Sequence, residues 1–191
     1  MLKLDARIES RDKRNLLTPE KVNVLSEQIF KLFFQNFDVS KYKNIHFFNT
    51  IVKMKEVNTE FFTNVIREKH PEISLVTSVS DINSNLLTHY IVNKDTIYKE
   101  NLFRIPEPTN GTKISEKEID LVLVPMFLFD EKGHRVGYGK GYYDRFLREV
   151  SDKCIKVGVN FFEPIESIDD ADQFDVTLDY CITPERLHKF N

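Results

Sequence analysis

The chain has 191 residues, of which 41% are hydrophobic, and its 27 lysines and arginines oppose 30 aspartates and glutamates for a formal net charge of −3. This length predicts one domain over residues 1–191, and the charge excludes a bulk field that would draw it to nucleic acid or an acidic membrane. With a charged N-terminus and no run near the roughly 18 apolar residues of a membrane span, we expect a cytoplasmic monomer with no nucleic-acid or membrane partner.

The first half of the chain predicts two helices separated by a strand. Residues 18–20 supply an N-cap, a first-turn proline and an acidic residue, and the apolar residues that follow recur at helical spacing as far as Phe33. Residues 45–48 predict a short strand. A second helix is predicted over 59–69, and it must end before Pro71 because a residue that precedes proline avoids the helical region.

After residue 69 the chain alternates further strands with one helix. The segments with strand character are 73–76, 86–92, 121–124, 155–159 and 176–182. Two prolines and an Asn-Gly pair predict a long loop over 106–111. The alternation predicts an α/β fold in three layers, with an open, mostly parallel sheet and helices on both faces. The two cysteines, Cys154 and Cys181, lie in apolar segments and predict reduced core thiols.

Four of the six glycines fall within nine residues, 133–141, which read GHRVGYGKG. They lie between the strand at 121–124 and a helix predicted over 142–150. Alternating glycines let consecutive backbone N–H groups turn toward one anion, and a helix N-terminus would add partial positive charge. The pattern therefore predicts a phosphate-binding loop. A tight surface turn explains the glycines alone equally well.

The residues around these glycines favour phosphate over a plain turn. Arg135, Lys140 and Arg145 supply cations, and Asp144 offers a hard oxygen ligand for Mg²⁺. The loop matches neither common nucleotide fingerprint, because no serine or threonine follows Lys140 and Tyr142 occupies the third glycine position of the dinucleotide motif.

Residues 124–147 resemble the signature of 5-formyltetrahydrofolate cyclo-ligases, also called methenyltetrahydrofolate synthetases. The family pattern is proline, a short apolar run that ends in Phe-Asp, then Gly-x-Arg-Leu/Val-Gly-x-Gly-x-Gly-Tyr-Tyr-Asp-Arg, and this chain keeps every element. Thr77 and Ser78 stand where many members carry Pro-Lys or Pro-Arg, and the stretch 78–101 matches the family poorly. The departure affects none of the site residues that the resemblance implies.

The resemblance implies an ATP- and Mg²⁺-dependent cyclisation of 5-formyltetrahydrofolate to 5,10-methenyltetrahydrofolate. The formyl oxygen would attack the γ-phosphate, N10 would then close the ring, and ADP and phosphate would be released. Such a transfer requires mainly alignment and charge neutralisation from the protein. One alternative is a non-catalytic member of the fold that binds nucleotide or folate. Another is an ATP-dependent enzyme that acts on a different small substrate.

The implied ATP contacts come from the N-terminus and from the glycine-rich segment. They are Lys3, Arg7, Arg135, Val136, Gly137, Tyr138, Gly139, Lys140, Gly141, Tyr142 and Tyr143. Lys140, Arg135 and Arg145 are the implied catalytic cations. Lys3 and Arg7 are four residues apart and share a helix face. Without the resemblance, that pair predicts only a solvated helix face.

The implied folate contacts centre on a glutamate within the family's Glu-Ile/Val-x-Thr element. They are Arg7, Ile51, Glu56, Tyr138, Gly139, Lys140, Gly141 and Tyr142. The carboxylate of Glu56 can accept two pterin donors, and the rings of Tyr138 and Tyr142 can stack on the folate. The alternatives are a carboxylate at a helix start for Glu56 and plain packing for either tyrosine.

The implied metal ligands are Asp144 and Asp175, which would hold Mg²⁺ together. Asp175 belongs to a C-terminal Asp-x-x-x-Asp element of the family. From the residues alone it is equally a turn residue, and only the resemblance selects it over Asp172 and Asp179.

Overall fold

The computed structural model describes residues 1–190, and over these residues four α-helices flank an eight-stranded sheet. The helices are α1 Lys3–Asn15, α2 Pro19–Asn36, α3 Glu60–Lys69 and α4 Tyr142–Glu149. The strands are β1 Asn44–His46, β2 Ser74–Asp81, β3 Leu86–Val92, β4 Tyr98–Glu100, β5 Pro106–Pro108, β6 Thr112–Ile114, β7 Leu121–Pro125, β8 Leu128–Phe129, β9 Arg135–Val136, β10 Ile155–Val159, β11 Tyr180–Ile182 and β12 Leu187–Lys189.

The large sheet has the strand order β12-β11-β10-β7-β1-β2-β3-β6. Its centre is parallel, from β11 through β10, β7 and β1 to β2. Antiparallel strands complete both edges, β12 at one and β3 with β6 at the other. Parallel neighbours require crossovers, and α3 connects β1 to β2 while α4 lies on the connection from β7 to β10. The predicted α/β fold with a mostly parallel sheet is confirmed.

Alternating residues of β7 show that both faces of the sheet are covered. Leu121 and Leu123 pack with phenylalanines of α2 and α3 in one cluster. Val122 and Val124 belong to a second cluster, which includes Phe146 of α4. Successive side chains of a strand point to opposite faces, so a strand buried on both sides requires an unbroken apolar run. The sequence of β7 is such a run.

The local signals at the first predicted helix are confirmed. The Oγ1 atom of Thr18 accepts a hydrogen bond from the N–H of Lys21 at 3.2 Å, and Pro19 is the first helical residue. Such a cap satisfies one of the N–H groups that a helix start leaves without a partner. The buried side chains of α2 form the face that packs on the sheet. They are Ser26, Ile29, Phe30 and Phe33.

Two predictions about the second half of the chain are wrong in detail. Residues 106–111 are not one long loop, because β5 pairs with β4 in a two-stranded ribbon and β6 begins at Thr112. Prolines are tolerated there because an edge strand can lack a donor. The last predicted strand begins at Tyr180 rather than at 176, and the short β12 was not predicted at all. Cys154 and Cys181 are buried free thiols, as predicted.

A small hairpin separates β7 from the glycine-rich loop. Strands β8 and β9 pair antiparallel, so Arg135 and Val136 belong to a strand rather than to the loop. Asp130 holds the turn by accepting backbone N–H groups of Lys132 and His134, each at 2.9 Å. Gly133 completes the turn with a φ of 83°, which disfavours other residues. The hairpin packs beneath α1 and brings the N-terminus to the site.

Candidate active site

A cavity of about 570 Å³ lies at the carboxyl ends of β1 and β7, where parallel sheets commonly hold ligands. It brings together predicted residues from the N-terminus, the loop after β1, the glycine loop and the C-terminal region. They are Lys3, Arg7, Ile51, Glu56, Arg135, Gly137, Tyr138, Gly139, Lys140, Gly141, Tyr142, Tyr143, Asp144 and Asp175. Val136 is fully buried behind the cavity, and Arg145 lies outside its lining.

The glycine loop turns through two left-handed residues before α4 begins. Gly139 and Gly141 have φ values of 88° and 68°, whereas Gly137 is not left-handed. Gly141 is the N-cap residue of α4, so the first N–H groups of this helix face the same region as the loop. Arg145 donates from Nε to the carbonyl of Asn85 at 3.0 Å and from Nη2 to the carbonyl of Lys140 at 2.5 Å. It therefore braces the loop from outside.

The N-terminal helix contributes two cations to one side of the cavity. Lys3 donates from Nζ to Oδ2 of Asp175 at 2.5 Å. Arg7 donates from Nε to the carbonyl of Gly137 at 2.9 Å. As predicted from their spacing, both side chains leave α1 on the same face. Burial is the largest single influence on Asp175 and acts to raise its pKa. Hydrogen bonds from Lys3 and from the N–H of Asp172, together with the positive charges of Lys3 and Arg135, outweigh burial, so the pKa of that carboxyl is lowered.

Arg135 and Asp144 form a second ion pair at the opposite side of the loop. The Nη2 atom of Arg135 donates to Oδ1 of Asp144 at 2.6 Å, and Nη1 donates to the carbonyl of Val176. Only 6% of Arg135 is exposed. Burial lowers the pKa of this guanidinium, while the Asp144 carboxylate opposes the fall. The site therefore presents alternating positive and negative groups.

The two predicted metal ligands suit Mg²⁺ in their chemistry. Asp144 and Asp175 both line the cavity and supply hard carboxylate oxygens. Within residues 1–190 no group of three or more His, Cys, Asp or Glu side chains is arranged to hold a metal ion. Mg²⁺ does not require one, because it keeps several waters and commonly binds one or two carboxylates together with substrate phosphates.

Glu56 lies at the inner end of the cavity with 3% of its surface exposed. Its Oε2 atom accepts the N–H of Ile51 at 2.6 Å, and Oε1 accepts the hydroxyl of Tyr138 at 2.6 Å. Burial raises the pKa of Glu56, while these two hydrogen bonds and the positive charge of Arg14 limit the rise. A carboxylate fixed in this way presents its remaining lone pairs to a ligand in one orientation.

The aromatic residues of the loop have different surroundings. The ring of Tyr138 packs against Phe127 with centroids 4.7 Å apart, so its hydroxyl is held on Glu56. Tyr142 donates its hydroxyl to the carbonyl of Asp81 at 3.2 Å and also lines the cavity. Lys140 is exposed at the cavity lining. These positions are compatible with both packing and ligand contact.

The structure adds cavity residues that the sequence did not indicate. Phe103, Ile105 and Glu107 reach the cavity from the β4–β5 ribbon. Glu107 anchors the ribbon by accepting the N–H of Ser80 at 2.8 Å and the amide of Asn101 at 2.9 Å. An Ile-Pro-Glu-Pro run is the only local signal there, and it indicates a turn rather than a site.

Strands β1, β2 and β3 contribute a polar chain beneath the same cavity. His46 and Ser78 line it, and the Nε2 atom of His46 lies 2.7 Å from the hydroxyl of Ser78. That hydroxyl is also 2.9 Å from Nδ1 of His89. The three residues are in register only through sheet pairing. Their spacing along the chain carries no such signal.

Comparisons with known proteins identify the family of the chain. The 5-formyltetrahydrofolate cyclo-ligase family matches residues 3–184. A protein of Schizosaccharomyces pombe named "Probable 5-formyltetrahydrofolate cyclo-ligase" is 30% identical over 160 residues, which cover 76% of each chain. A 5-formyltetrahydrofolate cyclo-ligase of Mycoplasma genitalium is 36% identical over 73 residues, 38% of this chain and 44% of that protein. The match thus spans less than half of the Mycoplasma relative.

Solved structures have the same fold over the whole chain. The NMR structure of Aquifex aeolicus 5,10-methenyltetrahydrofolate synthetase has a TM-score of 0.83 at 29% identity and covers 100% of this chain and 94% of that one. The 5,10-methenyltetrahydrofolate synthetase of Mycoplasma pneumoniae has a TM-score of 0.76 at 24% identity, with 96% and 99% coverage, and supports the fold alone. With a family match over residues 3–184, the chain belongs to the 5-formyltetrahydrofolate cyclo-ligase family.

Proposed function

We propose that the chain is an enzyme that cyclises 5-formyltetrahydrofolate to 5,10-methenyltetrahydrofolate with ATP and Mg²⁺. The observation that carries the proposal is the convergence of four separate segments on one cavity. Lys3 and Arg7, the loop with Glu56, the glycine loop and Asp175 all line it. Each segment supplies the residue types that one part of the reaction requires.

The chemistry explains why a nucleotide is consumed. The formyl group on N5 is an amide, and its carbon resists attack by N10 because the oxygen is a poor leaving group. The formyl oxygen attacks the γ-phosphorus, the bond from that phosphorus to the bridging oxygen breaks, and ADP leaves. N10 then attacks the formyl carbon, gives up its proton, and the C–O bond breaks to release phosphate. The five-membered ring is closed, and the products are methenyltetrahydrofolate, ADP and phosphate.

In this proposal the glycine loop and its cations hold the triphosphate. Backbone N–H groups of residues 137–141 and of the start of α4 would face the phosphates, whereas Arg135 and Val136 belong to β9 and not to the loop. Lys140 and Arg135 stabilise charge on the phosphoryl oxygens during transfer. Arg145 acts through the loop, since it donates to the carbonyl of Lys140. When bound, Mg²⁺ would supply further positive charge to the phosphates.

Each carboxylate that we propose for Mg²⁺ is held in position by an ion pair with a neighbouring cation. Asp144 is paired with Arg135 and Asp175 with Lys3. A phosphate that enters this region meets the two cations in the place where the two metal ligands lie. Lys3 and Arg135 would then pair with phosphate oxygens while the two carboxylates would hold Mg²⁺.

Glu56 is the proposed anchor of the folate ring system. Its two oxygens already accept hydrogen bonds from Ile51 and Tyr138, which orient the carboxylate plane. Ile51 and Tyr138 also line the cavity as apolar and aromatic walls, and Tyr142 adds a second aromatic side chain to the lining. All these residues come from a single chain, so we also propose that the enzyme acts as a one-domain monomer.

The proposal is tested by absorbance in the long-wavelength band of methenyltetrahydrofolate. Purified protein is mixed with 5-formyltetrahydrofolate and Mg²⁺, with and without ATP. We expect a rise that requires ATP and that disappears when the metal is chelated. No rise despite binding of both ligands would favour a non-catalytic member of the fold. Absence of binding would refute the assignment of the cavity.

A further inference from the structure

Arg14 is a buried cation of α1 that no motif indicated. Only 3% of its surface is exposed. Its Nη2 atom donates to the carbonyl of Met126, and its guanidinium lies over the ring of Phe127 at 5.2 Å from the centroid. The Nε and Nη1 atoms are buried without a hydrogen-bond partner among residues 1–190. A buried guanidinium with so few partners is costly unless an opposite charge lies near.

The opposite charge is Glu56. Two aromatic side chains, Phe127 and Tyr138, lie between it and Arg14. Arg14 lies over the ring of Phe127, and this ring packs against the ring of Tyr138 with centroids 4.7 Å apart. The hydroxyl of Tyr138 then donates to Glu56 at 2.6 Å. Burial and the Glu56 carboxylate raise the pKa of Tyr138, and the Arg14 guanidinium acts against this rise, which is the behaviour of a cation close to the phenol.

Arg14 is the cation whose positive charge acts on the Glu56 carboxylate. No ion pair with Glu56 at 4.0 Å or less exists within the described part of the chain, residues 1–190. Lys55, the neighbour in sequence, is committed to the carbonyls of Asn15 and Leu17 at 2.9 and 2.6 Å. From α4, Tyr143 faces Glu56 as a neutral phenol whose pKa is raised by burial and by that carboxylate. The other charged groups of the cavity lining are Lys3, Arg7, Glu107, Arg135, Lys140, Asp144 and Asp175.

We propose that Arg14 is a positioning residue for folate, because its buried charge keeps Glu56 ionised and therefore able to accept two donors from the pterin. The inference rests on the proposed role of Glu56 and extends it to a second buried charge. A protonated carboxyl presents one donor and loses acceptor capacity, so it would oppose a row of pterin donors. Arg14 and Glu56 are both buried, so the Arg14 charge acts through a region of low polarity where screening by water is weak.

Removal of Arg14 should make folate binding more sensitive to acid. Without this cation the pKa of Glu56 rises, so the variant protonates Glu56 at a pH where the wild-type chain still holds a carboxylate. Folate binding by the variant is therefore weakest relative to wild type at low pH, and the difference shrinks as the pH rises. If the pKa of Glu56 rises by about one, the binding ratio changes about tenfold at the acid end.

The test is calorimetric titration with 5-formyltetrahydrofolate, without ATP, of wild type and Arg14→Gln from pH 6 to pH 9. The ratio of the two dissociation constants cancels titration of the ligand itself. We expect this ratio to be larger at pH 6 than at pH 9, by up to about tenfold for a pKa difference of about one. Arg14→Lys keeps the charge and should give a ratio that varies little with pH. Arg14→Met repeats the neutral test with an apolar chain of similar length, in case the amide prevents folding.

Arg11→Gln is the matched control. Arg11 is on the same helix and also lies over the Phe127 ring, at 5.9 Å, but it is exposed. Its removal should leave the ratio near one at every pH. A ratio for the neutral Arg14 variants that does not change with pH, or one that changes equally for Arg14→Lys, would overturn the inference. If Glu56→Gln itself leaves folate affinity unchanged, the proposed role of Glu56 fails first and the inference fails with it.

Discussion

At the scale of single residues, one charged residue of the cavity is buried and another is exposed. This difference suits the two proposed roles, folate binding and phosphoryl transfer. Glu56 is buried at one end and has its orientation set by two hydrogen bonds. Lys140 is exposed on the glycine loop. A buried, fixed carboxylate suits recognition of a rigid ring, whereas a long flexible ammonium can follow a phosphoryl group as it moves. Substitutions at these two positions should therefore separate binding from turnover.

Glu56→Gln should mainly weaken folate binding. The amide keeps the size of the side chain and can still accept from Tyr138, but it replaces an acceptor-only carboxylate with a group that also donates. A hydrogen bond to a charged group contributes about 1.5–3 kcal/mol, so we expect about a 10- to 100-fold higher dissociation constant for 5-formyltetrahydrofolate. ATP affinity should be unchanged. Glu60→Gln, at an exposed residue of α3, is the control, and normal folate affinity of the Glu56 variant would remove this residue from the site.

Lys140→Ala should lower kcat far more than it raises KM for folate. A cation that acts on the transferring phosphate contributes most in the transition state, and loss of such a group costs about 100- to 1000-fold in turnover. Steady-state kinetics with both substrates measures the two parameters. Lys132→Ala, also exposed but in the β8–β9 turn, should behave as wild type. Unchanged kcat in the Lys140 variant would exclude a catalytic role for this lysine.

At the scale of elements, the glycine loop and α4 act as one unit. The left-handed turn at Gly141 starts α4, and Arg145 of that helix donates back to the loop at Lys140 and to the β2–β3 turn at Asn85. The loop is thus held by two guanidinium groups, Arg7 at the carbonyl of Gly137 and Arg145 at the carbonyl of Lys140, and it passes directly into α4.

The glycines of this loop should differ in their tolerance of alanine. Gly139 has a φ of 88°, and a Cβ there would lie 3.3 Å from the guanidinium of Arg7. Gly137 is not left-handed, and a Cβ there meets nothing within 4 Å. We expect Gly139→Ala to reduce the free energy of unfolding by about 1–2 kcal/mol and to weaken ATP binding.

Gly137→Ala is the matched variant and should be close to neutral in both measurements. Thermal unfolding and titration with ATP provide the two readouts. Equal effects of the two substitutions would show that the backbone conformation of the loop does not set its affinity for the nucleotide.

At the scale of the whole molecule, the sheet carries a buried polar chain that depends on neutral histidines. His46 and His89 are 0% and 1% exposed and are joined through Ser78. Burial lowers the pKa of His89 to about 4, although Glu116 acts in the opposite direction, and burial with His89 lowers the pKa of His46 well below its ordinary range. The folded protein therefore excludes protons that the unfolded chain binds.

Acid should destabilise the fold through these histidines. An unfolded histidine titrates near pH 6.5, so stability is constant above that pH and falls as the pH decreases toward about 4, by about 3 kcal/mol for His89. Urea unfolding between pH 8 and pH 4 measures the fall. In His89→Asn, which keeps an acceptor for Ser78, the curve should be flatter below pH 6.5. His70→Asn, at a partly exposed residue, is the control, and parallel curves for wild type and His89→Asn would contradict this account.

The elements that local signals specify were predicted from the sequence. Helix α2 was predicted because a cap, a first-turn proline and an apolar period act within a few residues of each other. The edge strands were not, because β5 carries two prolines and β12 has three residues, and such segments become strands only when a neighbouring strand offers hydrogen bonds. No helix within residues 1–190 is long and apolar enough to span a bilayer.

The sequence by itself determined the glycine-rich turn before α4, the family and the identity of the charged residues, because a turn, a helix start and a motif are properties of adjacent residues. Only the tertiary structure decided which of them meet. The hydrogen bond between Tyr138 and Glu56 joins residues 82 positions apart, and that between Lys3 and Asp175 joins residues 172 positions apart. Arg14 has no signal in the chain at all. Its proposed role arises from its burial against Phe127, which packs on the Tyr138 side chain bound to Glu56, and this depends on how α1 packs on the β8–β9 hairpin.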